Sequence, residues 1–435
     1  MRSSRNAGRG RASMSVVTDL LGAAPWCASM LASQYWGDER WGRYTRERLR
    51  ETLAAAARIP YYTAHFGGAP APEDLSRVPL LPRGAIPVLH RSVRALHRAD
   101  ARLLSDRSSG STGMPVEFLF DAAHQRSRFA ARARYLLANG WSPTRRNAWI
   151  IYLPEGTPDG ALVRSRAFMR TRFLSVFTPL AEQVEWLQRL DPFQVYTLPS
   201  NLDALLDILR ARGVRLPSLR RLFCGGEVVD DELREGARAV LGVEIADNYG
   251  STEACIAWQC PAGAYHVNAE HVLVEIVDDG GRPAAPGEMG KVVLTTLRNR
   301  VMPLVRYEIG DRAQAARGAC LCGRTLPLLG RVFGRSINLF RLADGRLISP
   351  WEMVVRLKYQ PELRQFQIVQ RALDRFALRF VADSDLSPDH RETLRRALVD
   401  VVGSSATVEL ERVDGIARTP TGKFMTAVSE IAAER

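Results

Sequence analysis

The run 219–253, LRRLFCGGEVVDDELREGARAVLGVEIADNYGSTE, carries the clearest structural signal in the chain. Its segment 221–224 predicts a strand, and the two glycines after it predict a tight turn. A helix is predicted to begin after Asp230, its candidate N-cap, and to continue through Val240, with a second strand at 243–246. Strand, turn, helix and strand in this order predict a parallel α/β unit.

Two turns in this run fall at the same edge of the predicted sheet. Gly225-Gly226-Glu227 follows the first strand, and Asp247-Asn-Tyr-Gly-Ser-Thr-Glu253 follows the second. Ligands of parallel α/β sheets bind beyond the carboxyl ends of the strands. The sequence therefore predicts a ligand site at this edge.

Further helices and strands are predicted before this run, and a pattern of alternating apolar residues follows it. Helices are predicted at 40–58, 122–139 and 202–211, and strands at 147–152 and 194–198. Alternating apolar residues at 272–277 and 290–296 predict a β-meander or small barrel, within a β-rich insert at about 260–330. Beyond Gly334-Arg335 a βαβ-like module is predicted, with strands at 366–369, 376–381 and 406–410 and a helix at 388–402.

Length and composition limit the possible classes of protein. At 435 residues the chain is long enough for two or three domains. The net charge is +13, but 57 of the 60 basic residues are arginines spread along the chain and often beside acids. This distribution argues against a nucleic-acid-binding patch. No apolar run is long enough to span a membrane, and residues 1–13 are interpreted as a disordered leader of a cytoplasmic protein.

Ser108-Ser-Gly-Ser-Thr-Gly-Met-Pro115 is a candidate polyphosphate cradle. Its glycines let backbone N–H groups approach a ligand, and its hydroxyls add donors. It lacks the Gly-Lys-Ser/Thr ending of a Walker A loop. By composition alone the segment could equally be a flexible turn.

The cysteines point to local structure rather than to disulfides. Four of the six lie in one third of the chain, which favours a metal site or reduced thiols. Cys260, His266, Cys320 and Cys322 bracket the β-rich insert and could hold a structural tetrahedral zinc ion. Reduced, buried cysteines are the alternative.

Taken together, the motifs resemble those of the adenylate-forming superfamily, which includes acyl- and aryl-CoA ligases. Ser108 to Pro115, Tyr249 to Glu253, Arg306-Tyr-Glu-Ile-Gly-Asp311, Gly334-Arg335 and Thr419-Pro-Thr-Gly-Lys423 occur in the order of that superfamily. Two further segments, Phe223 to Glu227 and Cys320 to Thr325, are similar to its phenylacetate–CoA ligase and coenzyme F390 synthetase branch. The resemblance covers about residues 55–430.

The resemblance implies an α/β fold in two parts. A large N-terminal domain, 14–334, would combine parallel α/β sheets with the small β-barrel-like subdomain. A small, mobile α+β C-terminal domain, 335–435, would carry Lys423.

The family's nucleotide contacts can be carried over to matching positions. The implied ATP-binding residues are Ser108, Ser109, Gly110, Ser111, Thr112, Gly113, Gly225, Gly226, Glu227, Tyr249, Gly250, Ser251, Thr252 and Asp311. Tyr249 would lie against adenine, and Asp311 would accept hydrogen bonds from both ribose hydroxyls. Glu253 would bind Mg²⁺.

Two cations complete the implied catalytic set. Arg335 would contact the ribose or phosphates at the domain junction, and Lys423 would reach the reacting carboxylate and the α-phosphate. Lys423 is one of only three lysines, and a compact ammonium does not replace a planar guanidinium.

The implied activity is that of an AMP-forming acid–thiol ligase. A carboxylic acid, aryl or arylacetic, would be converted to an acyl-adenylate with release of pyrophosphate and then transferred to CoA. Transfer to an amine, an amino acid or a free-standing carrier protein is the alternative, and a non-catalytic nucleotide-binding protein is a third. Members of the branch can bind zinc at the cysteine group and are often dimeric.

Three positions depart from the family pattern. Met114 replaces a lysine common before the proline, and Ser336-Ile-Asn338 replaces the acids of the hinge. Phe424-Met425 stands where the family usually has a basic residue after the lysine that corresponds to Lys423.

The acid pocket is expected between about 124–152 and 196–260. Its candidate aromatic residues are Phe129, Tyr135, Trp149, Tyr152 and Tyr196. The sequence does not obviously place a cation there for a second substrate carboxylate.

Overall fold

An eleven-stranded sheet forms the main body of the protein in the computed structural model. The structure describes residues 16–67, 75–97, 103–107, 116–153, 170–335, 340–344, 346–348, 350, 353, 356–357, 360, 362–417 and 425–431. Its strands are β3 (Asn147–Ile151), β4 (Thr171–Ser175), β5 (Gln194–Thr197), β6 (Arg221–Gly225), β7 (Ile245–Gly250), β8 (Cys255–Gln259), β9 (Tyr265–Val267), β10 (Val272–Val277), β11 (Met289–Thr296), β12 (Tyr307–Ala315) and β13 (Leu328–Arg335). A separate hairpin comprises β1 (Leu104–Arg107) and β2 (Glu117–Phe120).

The sheet has a parallel half and an antiparallel half. The strand order is β10-β11-β12-β13-β9-β8-β7-β6-β5-β3-β4. Strands β4, β3, β5, β6 and β7 are parallel neighbours, whereas every pairing from β7 through β8 to β10 is antiparallel. The predicted α/β unit lies in the parallel half, and the predicted β-meander is hydrogen-bonded into the same sheet.

Helices cover this body. They are α1 (Val16–Ser33), α2 (Asp38–Ala56), α3 (Pro60–His65), α4 (Ile86–Leu96), α5 (Ala122–Ala138), α6 (Leu180–Leu190), α7 (Pro199–Ala211) and α8 (Asp231–Leu241). Short 3₁₀ turns occupy Leu75–Arg77 and Arg83–Ala85. Asp230 caps α8 as predicted, because its side chain accepts a 2.7 Å hydrogen bond from Leu233 N.

Apolar spacing explains how α7 docks on the parallel half. Leu202, Leu205, Leu206 and Leu209 lie on one helical face and are all buried. Each fully buried leucine contributes about 1.5–3 kcal/mol relative to an exposed one. The same core includes Leu222 and Cys224 of β6, so it fixes the strand whose carboxyl end carries the glycine turn.

A second, smaller sheet follows the main body. Its order is β18-β17-β16-β19, formed by β16 (Gln365–Ala372), β17 (Arg375–Val381), β18 (Thr407–Arg412) and β19 (Ala427–Ser429). Helix α9 (Pro388–Val402) connects β17 to the parallel strand β18, and β14 (Phe340–Arg341) pairs with β15 (Leu347–Ile348). The strands and helix predicted for this region are confirmed.

The predicted α/β class is therefore confirmed, with a large mixed sheet and a smaller α+β unit. The proposed leader, residues 1–13, lies outside the described residues. None of the helices in the described segments is long and apolar enough to cross a membrane.

Candidate active site

The glycine turn after β6 lies very close to the neighbouring strand. A β-carbon on Gly225 would lie 3.0 Å from the backbone oxygen of Asn248, and Gly226 has a φ of +88°. Both positions therefore favour glycine. Glu227 secures the end of the turn, because its Oε2 accepts a 2.8 Å hydrogen bond from Ser200 N in the first turn of α7.

Tyr249 and Asp311 meet beside this turn. Tyr249 Oη donates a 2.7 Å hydrogen bond to Asp311 Oδ2. Asp311 is the register partner of Arg335 across β12 and β13, and a β-carbon on Gly334 would lie 3.0 Å from Val228 Cγ2. The structure thus brings together the glycine turn, the tyrosine, the aspartate and the backbone of Arg335, whose side chain lies outside the described part.

The turn after β7 leads to a buried carboxylate. Gly250 ends β7, and Ser251 N donates a 2.9 Å hydrogen bond to Ala254 O across Thr252 and Glu253. The Glu253 side chain is 1% exposed. Tyr307 Oη donates to its Oε1 over 3.1 Å, and Arg83 Nη1 approaches the same oxygen at 3.3 Å.

Arg83 is a site residue that sequence reasoning missed. It lies in the 3₁₀ turn Arg83–Ala85, at the end of a Pro/Gly-rich connection. Leu81 fixes this connection to β12 through a 2.9 Å hydrogen bond from its N to Arg306 O. No local pattern marks a single arginine in such a segment, so only the tertiary fold shows its contact with Glu253.

Two groups of predicted site residues lie outside the described residues. They are the cradle residues Ser108, Ser109, Gly110, Ser111, Thr112 and Gly113, and the lysine Lys423. The structure describes residues that flank each group. On either side of the cradle, Arg107 of β1 pairs with Glu117 of β2. Gln367 Nε2 donates a 2.8 Å hydrogen bond to Met425 O, two residues after the lysine.

The structure brings the four predicted zinc ligands together. The ligand atoms of Cys260, His266, Cys320 and Cys322 all lie within 4.8 Å of one another. The Sγ atoms of Cys260 and Cys320 are 3.6 Å apart, and Cys322 Sγ lies 3.2 Å from His266 Nε2. Burial lowers the pKa of His266 to about 4, so its imidazole is neutral at pH 7 and can coordinate a metal.

Aromatic residues predicted for the acid pocket lie near the glycine turn. Trp149 and Tyr196 stack with ring centroids 5.0 Å apart. Tyr196 Oη lies 3.0 Å from the position that a β-carbon on Gly225 would take. Tyr135 is fully buried and its hydroxyl donates to Ala246 O over 2.9 Å.

A large cleft lies elsewhere on the same sheet. It has a volume of about 1340 Å³ and is lined by the first residues of β6 and β7, among them Leu222 and Ile245, and by Arg238 of α8. These residues lie where the parallel strands begin. The predicted nucleotide residues lie at the opposite edge, so this cleft is separate from them.

Comparisons with known proteins agree with the motif order. A family model described as AMP-binding enzyme matches residues 162–299, and one described as CapK C-terminal domain matches residues 341–430. A phenylacetate–coenzyme A ligase from Thermus thermophilus is 27% identical over 429 residues, covering 87% of this chain and 94% of that protein. These matches confirm the predicted resemblance to the adenylate-forming superfamily. The predicted phenylacetate–CoA ligase-like branch and the predicted class of AMP-forming ligase are confirmed.

Solved structures support the fold of this superfamily member. A 2-hydroxyisobutyryl-CoA ligase in complex with its acyl-adenylate, 2-HIB-AMP, matches with a TM-score of 0.72 at 21% identity, covering 92% of this chain and 93% of that one. The amide bond synthetase McbA from Marinactinospora thermotolerans matches with a TM-score of 0.52 at 21% identity, over 73% and 66% of the two chains. The fold is thus shared by enzymes that use different acyl acceptors.

Proposed function

We propose that this ligase activates an aryl or arylacetic acid with ATP and transfers the acyl group to CoA. In the first step a carboxylate oxygen attacks the α-phosphorus of ATP, an acyl–phosphate bond forms, and pyrophosphate leaves. In the second step the CoA thiolate attacks the acyl carbon and AMP leaves. The convergence of the glycine turn, the Tyr249–Asp311 pair and buried Glu253 at one sheet edge carries the proposal.

The nucleoside would bind between the two halves of the sheet. Tyr249 would stack on adenine, with the backbone of Gly225, Gly226 and Glu227 along the same base. The Asp311 carboxylate, which accepts a hydrogen bond from Tyr249, would also accept from the ribose hydroxyls, because a carboxylate has two acceptor oxygens. The backbone of 250–252 would border the phosphates.

Glu253 suits a magnesium ion. Its Oε1 is engaged by Tyr307 and Arg83, and no described residue donates a hydrogen bond to Oε2. Mg²⁺ is commonly held by one or two carboxylates together with substrate phosphates. When bound it would neutralise phosphate charge, while Arg83 and Tyr307 would hold the carboxylate in position.

Three further groups would act on the reacting phosphates. The cradle 108–113 would hold the β- and γ-phosphates through hydroxyl and amide donors, since Met114 supplies no charge. Arg335, opposite Asp311 in the β12–β13 register, would reach the ribose or phosphates. Lys423 would neutralise charge between the carboxylate and the α-phosphorus, where preorganised electrostatics contribute most.

An acid panel read out by pyrophosphate release tests the first step. With ATP and Mg²⁺, pyrophosphate should appear only with an accepted acid. Lys423→Ala should lose this activity severely, whereas Lys291→Ala, which removes a surface ion pair with Glu308, should retain it. Failure of every acid with the intact protein would reject the proposal in favour of non-catalytic nucleotide binding.

Mass spectrometry of the products identifies the acceptor. We expect an acyl-CoA thioester and AMP when CoA is present. The relative from Thermus thermophilus, named as a coenzyme A ligase, supports this choice. An amide, or an acylated carrier protein, would instead establish the second acceptor class suggested by the altered hinge segment 336–338.

A structural zinc ion at Cys260, His266, Cys320 and Cys322 forms part of the proposal. Three thiolates and one imidazole form a complete tetrahedral set with no open position. The spacing of the four ligand atoms supports this donor set. The ion would tie the start of β9 to the loop before β13.

The organisation of the chain completes the proposal. We assign residues 14–334 to the acid- and nucleotide-binding domain and 335–435 to a mobile domain that delivers Lys423. All six cysteines are free, which supports function in the reducing cytoplasm. Members of the resembled branch are often dimeric, so we expect a homodimer. Light scattering would test this expectation.

A further inference from the structure

One face of α5 lies against the strands that form the candidate site. Arg128, Arg132 and Tyr135 are spaced so that they share this face. Cys255 Sγ, in β8, lies 3.6 Å from Arg128 O, and Tyr135 Oη donates to Ala246 O in β7. Arg132 is placed between these two contacts, at the level of β6 to β8.

Two arginines of α5, Arg128 and Arg134, have carboxylate partners. Among the described residues Arg132 has no carboxylate within ion-pair distance, although the charge of Asp106 acts on it. Arg128 lies 3.2 Å from Asp106, and Arg134 lies 2.7 Å from Glu270. No hydrogen bond or ion pair joins Arg132 to any residue within the described ranges. Its guanidinium is therefore available to a ligand.

Arg132 is exposed to solvent, although it lies on the face of α5 that contacts β7 and β8. An exposed side chain on a sheet-facing helix surface lies at an opening beside the sheet. Burial acts to lower its pKa, but the combined electrostatic influence of Cys255, Tyr196, Asp106 and Tyr135 acts in the opposite direction, and the pKa is raised. The guanidinium thus stays charged at this position.

Tyr196 marks the part of the opening nearest the nucleotide residues. Its ring stacks on Trp149, and its Oη lies 3.0 Å from the β-carbon position of Gly225. Among the described residues its hydroxyl makes no hydrogen bond. An aromatic wall and a tyrosine hydroxyl therefore lie beside the glycine turn, and Arg132 is close enough to act electrostatically on Tyr196, as in a pocket for a polar aromatic ligand.

We propose that Arg132 binds a second carboxylate on the substrate, so that the preferred acid is an aryl dicarboxylic acid. The inference rests on the proposed function, because it assigns the substrate of the same site. A planar guanidinium binds a carboxylate through two parallel hydrogen bonds. The aromatic wall would hold the ring, the first carboxylate would be adenylated, and Tyr196 would donate to the second.

Matched pairs of acids test this assignment. Phenylacetate is compared with 3- and 4-carboxyphenylacetate, and benzoate with isophthalate and terephthalate, by kcat/KM for pyrophosphate release. We expect the wild-type protein to prefer a dicarboxylic member. In Arg132→Met the ratio of dicarboxylic to monocarboxylic kcat/KM should fall by about 10- to 150-fold, the range for one charged hydrogen-bonding interaction.

Two further variants make the experiment decisive. Arg132→Lys keeps the charge without the planar fork, so it should retain an intermediate ratio. Arg238→Met removes an arginine at the opposite edge of the sheet, where it pairs with Glu244, and should leave the ratio unchanged. Thermal denaturation establishes that each variant is folded.

The outcomes separate the two proposals. No turnover of any acid rejects the proposed function and the inference with it. Turnover with no preference for dicarboxylic acids, or with an unchanged ratio in Arg132→Met, rejects only the role of Arg132. An equal loss for both members of a pair would place Arg132 at the shared, adenylated carboxylate and also overturn the inference.

Discussion

Asp311 is oriented by Tyr249 through the 2.7 Å hydrogen bond between them. The bond uses one lone pair of a carboxylate that offers several. In the proposed site the tyrosine donates and the carboxylate accepts, so the bond fixes the direction in which the carboxylate faces. The pair would therefore link adenine stacking to ribose binding.

Asp311→Asn should weaken ATP binding much more than the loss of the tyrosine hydroxyl. The amide replaces one acceptor oxygen and removes the charge, so KM for ATP should rise by about 10- to 150-fold. Tyr249→Phe removes only the neutral partner, and about a 2- to 12-fold rise is expected. ATP saturation curves for pyrophosphate release measure both. Equal effects would show that Asp311 acts only by holding the tyrosine.

Individual site residues differ in how far the sequence could predict them. Tyr249, Glu253 and Asp311 belong to motifs whose order along the chain resembles that of the superfamily, so the sequence already indicated one site. Arg83 and Arg132 belong to no motif. Each becomes significant only through groups that are distant in sequence, such as Glu253 for Arg83, 170 positions away.

At the level of elements, α1 is held by a buried ionic network. Arg134 Nη1 donates to Met30 O over 3.1 Å and to Glu270 Oε1 over 2.7 Å, and Ser33 Oγ donates to the same carboxylate. The sequence did not predict this helix, because Asp19 and Pro25 interrupt its apolar pattern. Docking on α5 and on the chain near β10, rather than local propensity, stabilises it.

Arg134→Met should destabilise the protein strongly. It leaves Glu270 buried without its cation, which costs about 3–5 kcal/mol in the free energy of unfolding. Urea denaturation measures the change. Arg238→Met breaks an exposed ion pair and should cost at most about 1 kcal/mol. Adding Glu270→Met to Arg134→Met should recover part of the loss, and no recovery would contradict the electrostatic explanation.

Zinc binding by Cys260, His266, Cys320 and Cys322 can be tested through metal content and stability. The purified protein should contain a single zinc ion by elemental mass spectrometry, and chelation should lower its melting temperature. Cys320→Ser should lose the metal and show the same decrease, because one of four ligands is gone. Cys27→Ser, which changes a free cysteine of α1, should keep it. Zinc retained by Cys320→Ser would contradict the site.

At the scale of the whole molecule, long-range pairing joins two patterns that the sequence presents separately. Periodicity predicted the parallel unit and the meander, but not the insertion of β13 between β12 and β9. That order depends on pairs such as Leu328 with His266, 62 positions apart. Local propensity contains no information on such a pairing. This pairing also makes Arg335 of β13 the register partner of Asp311, which the proposed function places at the nucleotide.

The buried carboxyl group of Asp247 makes the stability of the protein depend on pH. It is buried in β7, and Tyr265 Oη donates to its Oδ2, whereas Oδ1 has no hydrogen-bond partner among the described residues. Burial raises its pKa from 3.8 to about 6, although the hydrogen bond from Tyr265 and the charge of Arg234 act in the opposite direction. The folded protein therefore binds a proton that the unfolded chain has released between these two values.

It follows that Asp247 reduces stability as the pH rises. The free energy of unfolding falls with rising pH wherever the folded state binds more protons than the unfolded state. For Asp247 this decrease begins near pH 4 and continues past pH 6. At about 1.36 kcal/mol per pKa unit, the loss is about 3 kcal/mol by pH 8. Asp247→Asn cannot ionise, so its free energy of unfolding relative to wild type should rise by about this amount between pH 4 and pH 8. Urea denaturation across this range measures the difference, with Asp207→Asn, a change at an exposed residue of α7, as the matched control. A difference that stays flat with pH in Asp247→Asn would show that the carboxyl is already ionised in the folded protein at pH 4.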